Sequence, residues 1–175
     1  MDSSAVNSES EYVEYKPSLS QIKDIVETVA AFSTTEGGRI EIGRDDHGNI
    51  LGITVGKGTV ENLANDIKQN TDPPVYPSIR VEEKDGKNFI VVEVKESEAK
   101  PVFAYGRAFK RVGKSNQKLG YEEIRKLATV SSKIYWDGQI CEGVTLGDID
   151  KEKVRWFLSG AKGENRSSGS DPVMG

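Results

Sequence analysis

A chain of 175 residues with 35% hydrophobic and 30% charged residues is long enough for one well-packed domain and a small appendage. The balance of 24 basic against 28 acidic residues gives a net charge of −4, so overall charge does not indicate a nucleic-acid binder and any basic surface must be local. Cys141 is the only cysteine and His47 the only histidine, which excludes an internal disulfide and a cysteine–histidine metal site within one chain.

The two ends of the chain differ in composition from its middle. The N-terminus has no signal peptide and no stretch is long enough to span a membrane, so we expect a cytoplasmic protein with no membrane partner. Residues 1–8 and 161–175 are small, polar or charged, which predicts disorder. We expect a domain over 9–130 and an appendage over 131–160, with one helix that begins at Asp150 and ends at Gly160.

The first elements of the domain are a strand and a helix. Residues 12–16 alternate as a strand, with Val13 and Tyr15 on one face. Ser18 and Gln21 have the spacing of a capping box, which predicts that a helix begins there. The helix is expected to end at Gly37, a residue that adopts the left-handed backbone conformation easily.

Two strands and a helix follow. Residues 39–43 predict a buried strand, and residues 50–53 a second strand that pairs with it as a hairpin. Thr59 is expected to cap a helix that ends before Asp72-Pro73-Pro74. The glycines near Lys57 do not have the spacing of a phosphate-binding loop.

The rest of the domain is mainly β-structure. Asp85-Gly86 predicts a two-residue hairpin turn, and the strand over 89–94 is apolar on both faces, which is typical of a central strand next to the strand over 39–43. A further hairpin is expected within 101–112 and a short helix over 121–128. The pattern predicts a mixed α+β domain with one mixed sheet of six or seven strands, about three helices and a small appendage.

One stretch of the chain is basic although the protein is acidic. Residues 99–121 contain no acidic residue, where the average composition would give about four. Such clustering favours a surface that binds phosphates, and the small residues of the loop over 111–116 could add backbone N–H groups. The alternative is a solvated hairpin. The candidate residues for binding DNA or RNA are Lys100, Arg107, Lys110, Arg111, Lys114, Ser115, Asn116 and Lys118.

Four carboxylates form a second candidate group. Glu9 and Glu14 flank the first strand, and Asp45 and Asp46 follow the second. If the chain bends near Ser10, carboxylates could converge and hold a hard divalent cation. By spacing alone, exposed strand and turn acids are the favoured interpretation.

The order of several motifs resembles that of a known family. The motifs are Glu9-Ser10-x-x-Val13-Glu14-Tyr15-Lys16, Ala30-Ala31-Phe32-Ser33-Thr34-x-x-Gly37-Gly38, Ile42-Gly43-x-x-Asp46-x-Gly48-x-Ile50-x-Gly52, Pro101-Val102, Arg111-Val112-Gly113-x-Ser115-Asn116 and Tyr121-Glu122-Glu123-Ile124. Together they resemble the Schlafen-type divergent AlbA domain over residues 9–130.

The resemblance implies a nucleic-acid-binding α/β domain of a prokaryotic transcriptional regulator. Some animal Schlafens are metal-dependent endoribonucleases, and their three catalytic carboxylates match Glu9, Glu14 and Asp46 here. This implies an alternative, nuclease-like function with Mg²⁺ or Mn²⁺ at these residues and Asp45 as a further ligand. Those nucleases join two such domains, so the resemblance also raises a homodimer. A third hypothesis is a regulatory or assembly module of a larger ATPase-like or winged-helix protein.

Overall fold

The computed structural model describes residues 9–131, 145, 147 and 149–163. The chain divides into two units, Met1–Ile134 and Tyr135–Gly175. The disorder predicted for residues 1–8 and for residues 164–175 lies outside the described residues, and so does most of the predicted appendage.

The elements follow one another in the order expected of a mixed α+β chain. A 3₁₀ turn over Leu19–Gln21 precedes the first helix. In chain order the strands and helices are β1 (Val13–Lys16), α1 (Ile22–Thr34), β2 (Gly38–Ile42), α2 (Thr59–Asn70), β3 (Thr71–Asp72), β4 (Ser78–Lys84), β5 (Lys87–Val94), β6 (Phe103–Ala104), β7 (Arg107–Val112), β8 (Ser115–Lys118), α3 (Tyr121–Ser131) and α4 (Lys151–Gly163).

The strands form two four-stranded sheets. The first has the order β1-β2-β5-β4, with β1 parallel to β2 and the other pairs antiparallel. The second has the order β3-β6-β7-β8 and is antiparallel throughout. The prediction of a mixed α+β fold is therefore confirmed, whereas the prediction of one sheet with six or seven strands is wrong. The structure also has four helices in its described part, one of them in the second unit.

The burial of α1 explains why one sheet is not enough. Seven consecutive residues, Thr28 to Thr34, are buried, and α1 packs against strands of both sheets. A helix that is buried all round must be covered on more than one side. Ile40, Ile42 and Ile90 cover it from the first sheet, and Phe109 covers it from the second.

The centre of the first sheet is as predicted. β2 and β5 are neighbours, with Ile40 opposite Val92 and Ile42 opposite Ile90. β5 lies between β2 and β4, which agrees with its apolar residues on both faces. The turn between β4 and β5 has positive φ at both Asp85 (54°) and Gly86 (71°), as a two-residue hairpin of this kind requires.

Gly37 has the conformation that the sequence predicts. Its φ is +81°, and its N–H donates to the Phe32 carbonyl at 2.9 Å beyond the last residue of α1. A Cβ at this position would lie 2.6 Å from the Val94 carbonyl oxygen. Gly37 is therefore required both by the helix end and by the close approach of β5.

Three local predictions are wrong. Ser18 caps no helix, because the first turn is 3₁₀ and its hydroxyl lies 2.6 Å from the Ser20 hydroxyl. Residues 50–53 form no strand, since β1 and β5 occupy both sides of β2, and only a single bridge joins Arg44 to Ile50. Gly58, not Thr59, is the N-cap residue of α2, and the Thr59 hydroxyl accepts from the Gly56 N–H.

The described part of the second unit is mainly helix α4. The Asp150 carboxylate accepts from the N–H groups of Glu152 and Lys153 at 3.1 Å, which confirms its predicted capping role. The helix continues to Gly163, three residues beyond the predicted end. Among the residues the structure describes, no helix is both long and apolar enough to cross a membrane.

Candidate nucleic-acid interface

The basic stretch forms the second sheet's outer hairpin, β7–β8. Arg111 lies opposite Asn116 and Val112 opposite Ser115, so the turn consists of Gly113 and Lys114. Gly113 has a φ of +56°, which glycine adopts without steric cost. The hairpin places Lys114 and Ser115 in an exposed position at its tip.

Arg111 is directed into the protein. Its guanidinium is fully buried, and Nη2 lies 2.5 Å from Oε2 of the nearly buried Glu14 carboxylate. The other Glu14 oxygen, Oε1, lies 2.7 Å from the Lys16 ammonium. Nη2 of Arg111 also donates to the Ser10 carbonyl at 3.0 Å. Because a buried charge needs a partner, this ion pair fixes β7 against the start of β1.

Further contacts fasten the hairpin to α1. Nη1 of Arg111 donates to the Asn116 side-chain oxygen at 2.9 Å, and the Asn116 amide donates to the Thr28 hydroxyl at 2.7 Å. The Phe32 ring lies beneath the Arg111 guanidinium, with 5.1 Å between the ring centroid and Cζ of Arg111. Asn116 therefore joins the hairpin to the helix, and Arg111 joins both to β1.

Three basic side chains of the stretch are exposed and uncompensated. Arg107, Lys114 and Lys118 are exposed, and none of them makes an ion pair within the described residues. Arg107 begins β7, Lys114 lies in its hairpin turn and Lys118 ends β8. These three cations, with the Ser115 hydroxyl, are available to an anionic partner.

The remaining two basic candidates are paired with acids. Lys100 pairs with Glu96 and donates to the Thr35 carbonyl at 3.1 Å. Lys110 pairs with Glu123 of α3, and this hydrogen bond lowers the pKa of the Glu123 carboxyl below its ordinary value. An anion that used either lysine would compete with a carboxylate already in place.

The predicted catalytic carboxylates lie in three different settings. The chain does bend after Glu9, because the Ser10 N–H bonds to the Val13 carbonyl, and Oε1 of Glu9 accepts from the Tyr15 N–H at 3.2 Å. Glu14 is the partner of Arg111 and Lys16. Asp46 is exposed in the turn after β2.

Asp45 organises its own turn. Its carboxylate accepts from the Asn49 side chain and N–H, both at 2.8 Å, and from the His47 N–H at 3.0 Å. These bonds, that from the Asn49 side chain foremost, lower the pKa of Asp45. The group acts as a turn residue in this arrangement.

The donor set does not fit a bound Mg²⁺ or Mn²⁺ ion as arranged. Nowhere in the described part of the chain do three or more His, Cys, Asp or Glu side chains lie together as a metal-binding group. Glu14 is neutralised by two cations, and Glu9 is engaged with a backbone N–H. The three-carboxylate hypothesis therefore gains no support from the geometry.

A second charge cluster, around the buried Glu41 carboxylate, was not anticipated from the sequence. Glu41 pairs with Arg39 at 2.8 Å and with Arg44, whose guanidinium lies over the rings of Tyr15 and Phe89 at 5.8 and 4.7 Å. Burial raises the pKa of the Tyr15 hydroxyl. Glu41 alternates with Ile40 and Ile42 in β2, which was the available signal that it lies on the opposite face.

A cleft of about 650 Å³ lies at the edge of the first sheet where β2 and β4 begin and β5 ends. Tyr12, Arg39, Tyr76 and Lys95 are among its lining residues. None of the predicted site residues lines it, so it is separate from the hairpin surface.

Comparisons with known proteins identify a family and a fold. The profile of the family described as Schlafen, AlbA_2 matches residues 9–120. No curated protein sequence matches the chain. The crystal structure of the DIP2311 protein from Corynebacterium diphtheriae aligns with a TM-score of 0.57 and 19% identity, over 90% of this chain and 31% of that one.

A second solved structure is similar over less of this chain. It is the N-terminal domain of a putative ATP-dependent DNA helicase RecG-related protein from Nitrosomonas europaea, with a TM-score of 0.48 and 27% identity over 66% of this chain and 87% of that one. The C. diphtheriae alignment shows a shared fold, and this chain spans about a third of that protein's length.

Proposed function

Because this chain belongs to the Schlafen AlbA_2 family, we propose that it is a nucleic-acid-binding domain that contacts the phosphate backbone through its β7–β8 hairpin. Arg107, Lys114 and Lys118 make the phosphate contacts, assisted by the Ser115 hydroxyl. Arg111 and Asn116 act as positioning residues, since both are directed toward β1 and α1. We further propose that this contact serves the regulation of transcription.

One observation carries the proposal. The hairpin has exposed, unpaired cations on a rigid support, because its inward-facing arginine is held by Glu14 and its asparagine by Thr28. A rigid loop loses little conformational entropy when it binds, so weak phosphate contacts can add up. The absence of acidic residues from 99 to 121 keeps repulsive charges out of the hairpin itself.

The binding mode follows from the residue types. Lysine and arginine contacts to phosphate carry no base-specific information, so we expect salt-sensitive binding with little sequence preference. DNA and RNA backbones both satisfy this chemistry. A net charge of −4 means that attraction is local to the hairpin and depends on orientation.

A titration of labelled oligonucleotides with matched charge reversals tests the proposal. Lys114→Glu with Lys118→Glu should abolish measurable binding, because two contacts become repulsive. Lys57→Glu with Lys68→Glu makes the same change in net charge at exposed lysines next to and within α2 and should bind within twofold of wild type. Equal loss in both double variants, or none in the first, would contradict the proposal.

Arg111 must not be used for this test. Arg111→Glu would place a second carboxylate against buried Glu14, so a loss of binding would report misfolding. The exposed residues Lys114 and Lys118 avoid this ambiguity.

A further inference from the structure

The outer edge of the first sheet is open along a full strand. β4 is the terminal strand after β5 in the described part of the chain and is seven residues long. Lys84 and Lys87 flank the two-residue turn, so the backbone groups of Ser78, Arg80, Glu82 and Lys84 bond to β5. The N–H and C=O groups of Ile79, Val81 and Glu83 therefore point to the open edge.

This edge has neither of the backbone features that usually prevent strand pairing, and its four charged residues restrict it to a partner with complementary charges. β4 contains no proline, and its register with β5 is continuous from Ser78 to Lys84 without a bulge. Val81, at the middle of the strand, is 41% exposed. Such an edge is a template for another strand.

We propose that a second copy of this chain docks on β4, antiparallel, with Val81 opposite the partner's Val81. In this register Ile79 faces the partner's Glu83, and Glu83 faces the partner's Ile79. All backbone groups that point outward from these three residues then pair with the partner. The result is an eight-stranded sheet that continues through a two-fold axis, which is the commonest oligomer symmetry.

The charges on the flanking residues select this occupant. Arg80 lies directly opposite the partner's Glu82, and Glu82 opposite the partner's Arg80, so the strand is complementary to itself. Within one copy the same two side chains already pair, with Nε of Arg80 2.7 Å from Oε1 of Glu82. Nη1 of Arg80 also lies 3.0 Å from Oε1 of Glu93, and all three side chains are about half exposed.

Other registers lose this match. If the two-fold axis passed through Ile79, Glu82 would lie opposite a residue that precedes the partner's β4. If it passed through Glu83, Arg80 would lie opposite the partner's turn. Only the register centred on Val81 pairs both charges and keeps opposite charges adjacent across the edge.

The test is sedimentation equilibrium of the full chain with charge-reversed variants. Arg80→Glu and Glu82→Arg alone each place two like-charged pairs across the interface, so each should be monomeric. An equimolar mixture of the two places Glu opposite Arg at both positions, and it should form a heterodimer. Lys57→Glu is the charge control and should associate like wild type.

Val81→Pro removes the N–H groups that the central pair exchanges, without touching the bonds from β4 to β5. It should weaken association about thirtyfold, the effect of losing two backbone hydrogen bonds, with an unchanged circular dichroism spectrum. A wild-type monomer at every concentration, a dimer that tolerates both single reversals, or a mixture that stays monomeric would each overturn the proposal.

Discussion

Arg111 and Glu14 are 97 residues apart in the sequence, yet their side chains form a buried ion pair with Nη2 and Oε2 2.5 Å apart. This contact turns the basic loop into a fixed element of the fold. It also separates two roles among the basic residues, because Arg111 supports the hairpin that Lys114 and Lys118 place in solvent.

Removal of one partner of this pair should be costly. Arg111→Met leaves the Glu14 carboxylate with Lys16 alone, so we expect a loss of about 3 kcal/mol in the free energy of unfolding. Glu14→Gln combined with Arg111→Met should cost less than the sum of the single changes, because neither buried charge remains. Urea unfolding of the four proteins measures the coupling, and strictly additive effects would argue against a pair.

The sequence predicted the centre of the first sheet for a physical reason. A strand that is apolar on both faces must be covered twice, and the Asp85-Gly86 turn fixes the register of β4 and β5. The second sheet was not predictable, since nothing in the pattern of β6, β7 and β8 shows that they cover α1 rather than extend the first sheet.

The alternation of residues in the strand indicated that the Arg111 side chain points into the protein, although its place in the basic stretch suggested a surface residue. Arg111 is two residues from Phe109 in a strand, so both lie on the same face, and Phe109 is in the core. Its partner Glu14 could not be identified, because the contact depends on how β1 and β7 meet α1. Local patterns carry no information about such long-range pairs.

The Lys110–Glu123 pair should restrain binding. Glu123→Gln frees the Lys110 ammonium, so we expect tighter oligonucleotide binding and a salt dependence steeper by about one unit. Glu61→Gln on α2 makes the same charge change away from the hairpin and serves as the control. A variant at Glu123 that binds no better than the control would show that Lys110 lies outside the interface.

The pH dependence of this pair has a definite sign. Because the pKa of Glu123 is lowered, the pair is fully formed at any pH above the ordinary pKa of a glutamate, about 4.3. It is lost as the pH falls through the lowered pKa. The Lys110 ammonium resonance should therefore shift with a midpoint below the ordinary pKa of a glutamate. A midpoint above the ordinary glutamate value would contradict the pairing.

The Asp45 turn gives an independent check on the loop after β2. Asp45→Ala removes the acceptor of the His47 and Asn49 N–H groups, so their amide exchange should become faster at neutral pH. Asp46→Ala, one residue further in the exposed turn, should leave both amides as they are. Equal effects of the two substitutions would show that the carboxylate does not hold the turn.

The nuclease alternative has a direct test. Because the three carboxylates are not assembled with free oxygens, we expect structured RNA to remain intact with Mn²⁺ and this protein. Asp46→Asn is the informative variant, since Asp46 is exposed and its substitution should leave the fold unchanged. Cleavage that both EDTA and Asp46→Asn abolish, and that Asp66→Asn leaves unchanged, would establish the metal site.

The central claim is that phosphates contact the β7–β8 hairpin, and amide chemical-shift mapping tests it most directly. A titration of the ¹⁵N-labelled chain with an oligonucleotide should shift the amides of Arg107 and of residues 113–118 most, and less at high salt. Shifts that cluster around Tyr12 and Tyr76 at the separate cleft, with the hairpin unmoved, would contradict the account.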